Sequence, residues 1–112
     1  MTGMRDVIDA LVDFRDERDW KRFHDPKNLA VALSIEAAEL NELFLWKNGE
    51  ALAAVDIERV KEELGDVFAY ALLLAEHYGF DPTDIVREKI TKNAAKYPVE
   101  KSRGTATKYT GL

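Results

Sequence analysis

Glu36 with Glu39, and Glu63 with Asp66, make two carboxylate pairs, each member three residues from the other, on stretches whose apolar residues recur with helical spacing. At about 100° per residue, the first pair shares its helix face with Leu29, Leu33, Leu40 and Leu43. The second shares its face with Val60, Val67, Tyr70 and Leu74. Ionised groups on an apolar stripe are costly unless something positive meets them. Residues three apart on a helix are neighbours, so two such helices packed face to face enclose four carboxylates. Four negative charges that close cannot all stay ionised in a dry interior, and a hard divalent cation is the natural neutraliser. Oxygen-only ligands favour magnesium, with manganese as a substitute, and magnesium usually keeps several waters and recruits substrate phosphates. That chemistry fits an enzyme acting on a nucleotide polyphosphate.

Two other readings compete. Acidic pairs at this spacing are common on solvated helix faces, where they do nothing, and Glu42 and Glu62 fit that plain surface role. A carboxylate-bridged di-iron bundle also places glutamates on facing helices, but it needs Glu-x-x-His on two of them, and neither Glu36 nor Glu63 is followed by that histidine.

The elements that must position these acids are readable from periodicity and punctuation. Met4, Val7, Ile8, Leu11 and Val12 predict a first helix to about Asp19 or Trp20, followed by a connector from Trp20 to His24. Asp25-Pro26 is a helix-start signal for a second helix to about Lys47, stopped by Asn48-Gly49. After a link from Glu50 to Ala54, Asp56 caps a third helix that reaches Tyr78 and ends at Gly79. Asp81-Pro82 starts a fourth, which finishes near Tyr97 because Pro98 disfavours helix before it. The end of the chain reads as an irregular tail over about 98–112. No strand-period segment or internal repeat is present, so the expected class is all-α, a four-helix bundle in one domain over 1–112. The second helix is apolar nearly all round, from Leu29 to Leu45, which predicts burial of its spare face by another copy of the chain.

With 112 residues, 46% of them hydrophobic and 33% charged, the composition is that of a globular domain. No apolar run reaches the roughly 18 residues of a membrane span. The opening residues Met1 to Asp6 lack the pattern of a secretory signal, so the expected location is cytoplasmic and no membrane partner is expected. The absence of cysteine removes thiolate ligands and cysteine nucleophiles, leaving oxygen or histidine for any metal. A net charge of -5 argues against binding a nucleic-acid polymer. Lys89, Lys92, Lys96, Lys101, Arg103 and Lys108 gather late in the chain, either as a solvated basic surface or to meet a polyphosphate.

Ile35-Glu36-Ala37-Ala38-Glu39, followed after 23 residues by Glu63-Leu64-Gly65-Asp66, resembles the E-E-x-x-E then E-x-x-D signature of MazG-like nucleoside triphosphate pyrophosphohydrolases. Ile35 stands where that signature has its first glutamate, which implies a subgroup with a reduced acidic set. Arg18-Asp19-Trp20, Phe23-His24, Trp46-Lys47, Tyr97-Pro98 and Lys108-Tyr109-Thr110 are further likenesses, to the branch that hydrolyses dCTP. The resemblance implies a magnesium-dependent, MazG-like helical homo-oligomer, a tetramer built as paired dimers, cleaving a nucleoside triphosphate to monophosphate and pyrophosphate. It places the metal on Glu36, Glu39, Glu63 and Asp66. It places base and sugar on Trp20, Lys21, Arg22, Phe23 and His24 with Trp46 and Tyr70, and the phosphates on Lys89, Asn93, Lys96, Tyr97, Lys108 and Tyr109.

The residues support these roles unevenly. One acid can serve as general base instead of ligand, with Glu36 and Glu39 the candidates. Trp20 and Trp46 suit core packing as well as base stacking, although Trp20 falls in a polar connector. His24, just before a helix start, has the position of an ordinary structural histidine. Tyr70 lies one turn beyond Asp66, placed to line the same cavity and to select against a ribose 2′-hydroxyl. The rival function is a non-catalytic helical oligomer binding a nucleotide or a protein partner.

Overall fold

Three aspartates start the long helices that follow the first one, each accepting hydrogen bonds from backbone N–H groups that the helix itself leaves unpaired. Asp25 accepts from Asn28 N at 2.7 Å, Asp56 from Glu58 N at 3.0 Å and Asp81 from Asp84 N at 3.1 Å. Pro26 and Pro82 occupy the first helical positions, where a missing N–H costs nothing. The computed structural model describes residues 3–112, so Met1 and Thr2 of the opening segment lie outside the described residues. Its helices are α1 (Met4–Glu17), α2 (Pro26–Glu42), α3 (Gly49–Ala53), α4 (Ile57–Tyr78), α5 (Pro82–Lys96) and α6 (Val99–Ser102), with 3-10 turns at Lys21–Phe23 and Tyr109–Gly111. No strand occurs among the described residues, and no helix there is long and apolar enough to cross a membrane.

The expected boundaries hold at α4 and α5 and shift at α1 and α2. α1 stops at Glu17, short of Asp19 or Trp20, because Asp19 takes a left-handed φ of 53° and Trp20 N bonds back to Arg15 O at 3.1 Å. α2 stops at Glu42 and not near Lys47. Leu43, Phe44 and Leu45 N–H groups turn to carbonyls three residues back, which tightens the chain out of α geometry. Trp46 then adopts φ 61°, ahead of the expected Asn48-Gly49 stop. The link from Glu50 to Ala54 is largely the short helix α3, and the tail carries α6 and the Tyr109–Gly111 turn. Gly79 closes α4 at φ 72°, a left-handed position that glycine fills without a Cβ clash.

The chain divides into two compact units, one reaching Gly79 and one spanning Phe80–Leu112. In the first, α4 packs against α2 and against α1. Its core is small: Ile8, Leu29, Leu43, Leu73 and Ala75 are buried. The stripe that carries the acids is the half-buried face between α2 and α4, with Leu33, Leu40, Val60, Val67, Tyr70 and Leu74. Opposite faces stay open, and Val31, Ile35, Leu64 and Phe68 are exposed. In the second unit, Lys96 Nζ sits 4.9 Å from the centre of the Tyr109 ring, and Tyr97 meets the same ring edge-on at 6.0 Å.

Candidate metal centre

Packing α2 on α4 face to face brings carboxylate oxygens of Glu36, Glu39 and Glu63 within 4.8 Å of one another, the one such acidic group among the described residues. Asp66, one turn after Glu63, lies close enough for its charge to act on both Glu36 and Glu63. Glu42 and Glu62 are exposed, as their surface role requires. Withdrawal from water, then hydrogen bonding and charge from Glu39, push the Glu36 carboxyl up to about 7. Glu63 is raised by the same withdrawal first and by Glu39 and Asp66 next, against a smaller opposing pull from Arg59. Glu36 Oε2 and Glu63 Oε2 are shielded from water and have no hydrogen-bond partner. Orphaned carboxylate oxygens aimed into a shared acidic cluster are what a hard cation with oxygen ligands would satisfy, so the donor set fits a divalent metal.

A row of rings leads to the helix that carries Glu63 and Asp66. Phe14 meets Trp20 edge-on at 5.7 Å between centroids, Trp20 lies 6.4 Å from His24, and His24 meets Tyr70 edge-on at 6.3 Å. Tyr70 follows Asp66 by one turn of α4, so the row ends on the acid-bearing stripe. The start of α2 fixes its middle: Asn28 Nδ2 donates to Phe23 O at 3.1 Å, and His24 N donates to Lys21 O at 3.0 Å. The satisfied histidine expected at a helix start is absent, since His24 Nδ1 is buried without a partner. Burial, and then the charge of Arg15, hold the His24 imidazole below its ordinary pKa, which favours the uncharged ring.

The structure joins Trp20, His24 and Tyr70 through ring contacts, and His24 also lines a cavity with Lys21 and Arg22. Phe23 is exposed with the Arg22 guanidinium 4.9 Å over its ring, while Lys21 and Arg22 line a cavity with Arg15. Trp46 stands 91% exposed and meets none of the row within one chain. In the second unit, Lys96, Tyr97 and Tyr109 come together, Lys108 adjoins them in sequence, and Lys89 and Asn93 border an apolar hollow formed by Ile85, Val86 and Ile90. Sequence reasoning gave no role to Phe14 and named Arg18 only within the Arg18-Asp19-Trp20 likeness. Arg18 stacks 3.6 Å over the Phe14 ring and donates to Phe14 O at 2.9 Å. The signal for them was Phe14 continuing the Val7–Leu11 stripe, with Arg18 one turn on.

Residues 31–112 match the MazG-like family. The chain is 40% identical to dCTP pyrophosphatase 1 of Mus musculus and 37% identical to that of Homo sapiens, in both cases over 97% of its length and 67% of the relative's. Its fold is similar to the crystal structure of a pyrophosphatase from Archaeoglobus fulgidus, with a TM-score of 0.81, 41% identity, and coverage of 88% of this chain and 94% of the other.

Proposed function

Because the chain belongs to the MazG-like family and is a nucleotide pyrophosphatase, we propose that it is a magnesium-dependent hydrolase of dCTP or a related modified deoxynucleotide, yielding the monophosphate and pyrophosphate and cleaning nucleotide pools in the cytoplasm. The observation that carries this is the pair of orphaned oxygens on Glu36 and Glu63 inside the acidic cluster. Glu63, Asp66 and one or both of Glu36 and Glu39 would hold the cation, with manganese a workable replacement. When bound, it supplies positive charge to phosphoryl oxygens on which negative charge grows during cleavage. Glu36 or Glu39, whichever is free of the ion, takes the proton from the attacking water.

Trp20, His24 and Tyr70 receive the base and sugar, with Tyr70 excluding a ribose 2′-hydroxyl, and an exposed Trp46 closes over the base. Lys89, Asn93, Lys96, Tyr97, Lys108 and Tyr109 are assigned to the phosphates on their chemistry, as cations and hydrogen-bond donors. The open apolar faces of α2 and α4 support assembly as a homotetramer of paired dimers, since patches of that kind on a small domain mark an interface.

The test is pyrophosphate release from a panel of ribo- and deoxynucleoside triphosphates with and without magnesium. Magnesium-dependent release, fastest for dCTP or its base-modified forms, is expected. Release from no triphosphate would sink the proposal, and equal release from all would remove its substrate assignment.

A further inference from the structure

The end of α1 folds back around Trp20. Asp19, at a left-handed φ of 53°, turns the chain, and Trp20 N donates to Arg15 O at 3.1 Å. These contacts fix the Trp20 backbone and leave its side-chain torsions free. Within α1, the indole is met by the Phe14 ring, edge-on at 5.7 Å with 74° between the planes. Phe14 is itself 48% exposed, so burial does not hold it in place. Arg18 does. Its guanidinium lies 3.6 Å over the centre of the Phe14 ring and 6.0 Å from that of Trp20, and its Nη1 donates to Phe14 O at 2.9 Å. A planar guanidinium stacks on a ring and donates from its edge at once, which a lysine ammonium cannot do. Its ion pair with Glu17, at 3.7 Å between exposed side chains, contributes little beside this. Trp20 remains 42% exposed, so an indole held in this way still offers surface to a planar base.

We propose that Arg18 and Phe14 are positioning residues for base recognition: the guanidinium fixes the phenyl ring, the ring fixes the indole, and the indole meets the base already oriented. The inference rests on the reading of Trp20 as part of the base and sugar pocket. Orienting a side chain before binding removes the cost of immobilising it afterwards, so the effect falls on substrate affinity and not on the chemical step. An indole held in one orientation also favours one base geometry, so the preferred base gains most.

The experiment compares wild type with Phe14→Leu, Phe14→Tyr and Arg18→Gln by two readouts. The first is nitrogen NMR relaxation of the Trp20 indole Nε1–H in the full chain without nucleotide or metal, with the Trp46 signal identified through Trp46→Phe. A rigid indole is expected in wild type and in Phe14→Tyr, which keeps the ring, and a mobile one in Phe14→Leu and Arg18→Gln. The second is magnesium-dependent pyrophosphate release. Phe14→Leu and Arg18→Gln should raise KM for the preferred triphosphate roughly fivefold, with kcat unchanged and other triphosphates less affected, while Phe14→Tyr matches wild type. A Trp20 indole equally rigid in Phe14→Leu and Arg18→Gln, an unmoved KM, or a loss confined to kcat would overturn the inference. So would equal losses for every triphosphate, the mark of a helix end merely loosened. A wild type that hydrolyses no triphosphate would instead sink the pyrophosphohydrolase reading and the base role of Trp20 with it, whereas the relaxation result depends on no turnover.

Discussion

The acidic cluster is held by packing at an electrostatic cost, and that cost has a measurable sign. The Glu36 carboxyl titrates near 7 in the fold against about 4.5 when free, so between those values the folded protein binds more protons than the unfolded one. Its favourable contribution is therefore complete below about pH 4.5 and is lost as pH rises through about 7. Metal-free protein should show a higher thermal midpoint at pH 5.5 than at pH 8, relative to Glu36→Gln, which removes the titration. His24 responds in the opposite sense, and comparison with the variant cancels it. Magnesium should reverse the trend by requiring the ionised acids, and a wild-type slope equal to that of Glu36→Gln would contradict the assignment. Glu63→Gln should abolish turnover while circular dichroism and melting remain near wild type; an unfolded variant would point to a structural role instead. Trp46→Ala should raise KM several-fold more for the preferred base than for other triphosphates, whereas a uniform rise would argue against base recognition there.

Helix termini decide where those side chains stand. Asp25 both caps α2 and, through Asn28, steadies the backbone of Phe23 just ahead of His24. Asp25→Ala should cost about 1 kcal/mol by chemical denaturation and also raise KM, because the cap and the aromatic row share a fixed backbone. A stability loss with unaltered KM would separate the two. At the C-terminal end of α4, a Cβ added to Gly79 would meet only open space, so Gly79→Ala loses stability through backbone strain at φ 72° alone, about 1 kcal/mol. Asp19 and Trp46 occupy the same left-handed region without being glycine, and the strain at a bulky tryptophan fits a side chain held out for a purpose.

For the whole molecule, the narrow set of buried residues in one copy contrasts with exposed Val31, Ile35, Leu64 and Phe68. A second copy covering those faces would supply the burial that a single small unit lacks. Sedimentation analysis should find a tetramer, and Phe68→Asp should shift it to smaller species with lost activity. A monomeric wild type would refute the proposed assembly.

Helix class, the Asp-Pro starts, the Gly79 stop and the carboxylate pairs were legible in the chain because periodicity and caps act over three or four residues. The early ends of α1 and α2 were not legible, since left-handed turns at Asp19 and Trp46 go against local preference and are held by backbone bonds around them. The sequence by itself determined that the four acids would lie on two helix stripes. Only the tertiary structure decided that Glu36, Glu39 and Glu63 meet, that Phe14 joins Trp20, His24 and Tyr70, and that Arg15, Lys21 and Arg22 line a cavity with His24. The contacts of Glu63 with Glu36 and Glu39 and of Tyr70 with His24 join residues distant along the chain, where spacing carries no information and the packing of one helix against another does.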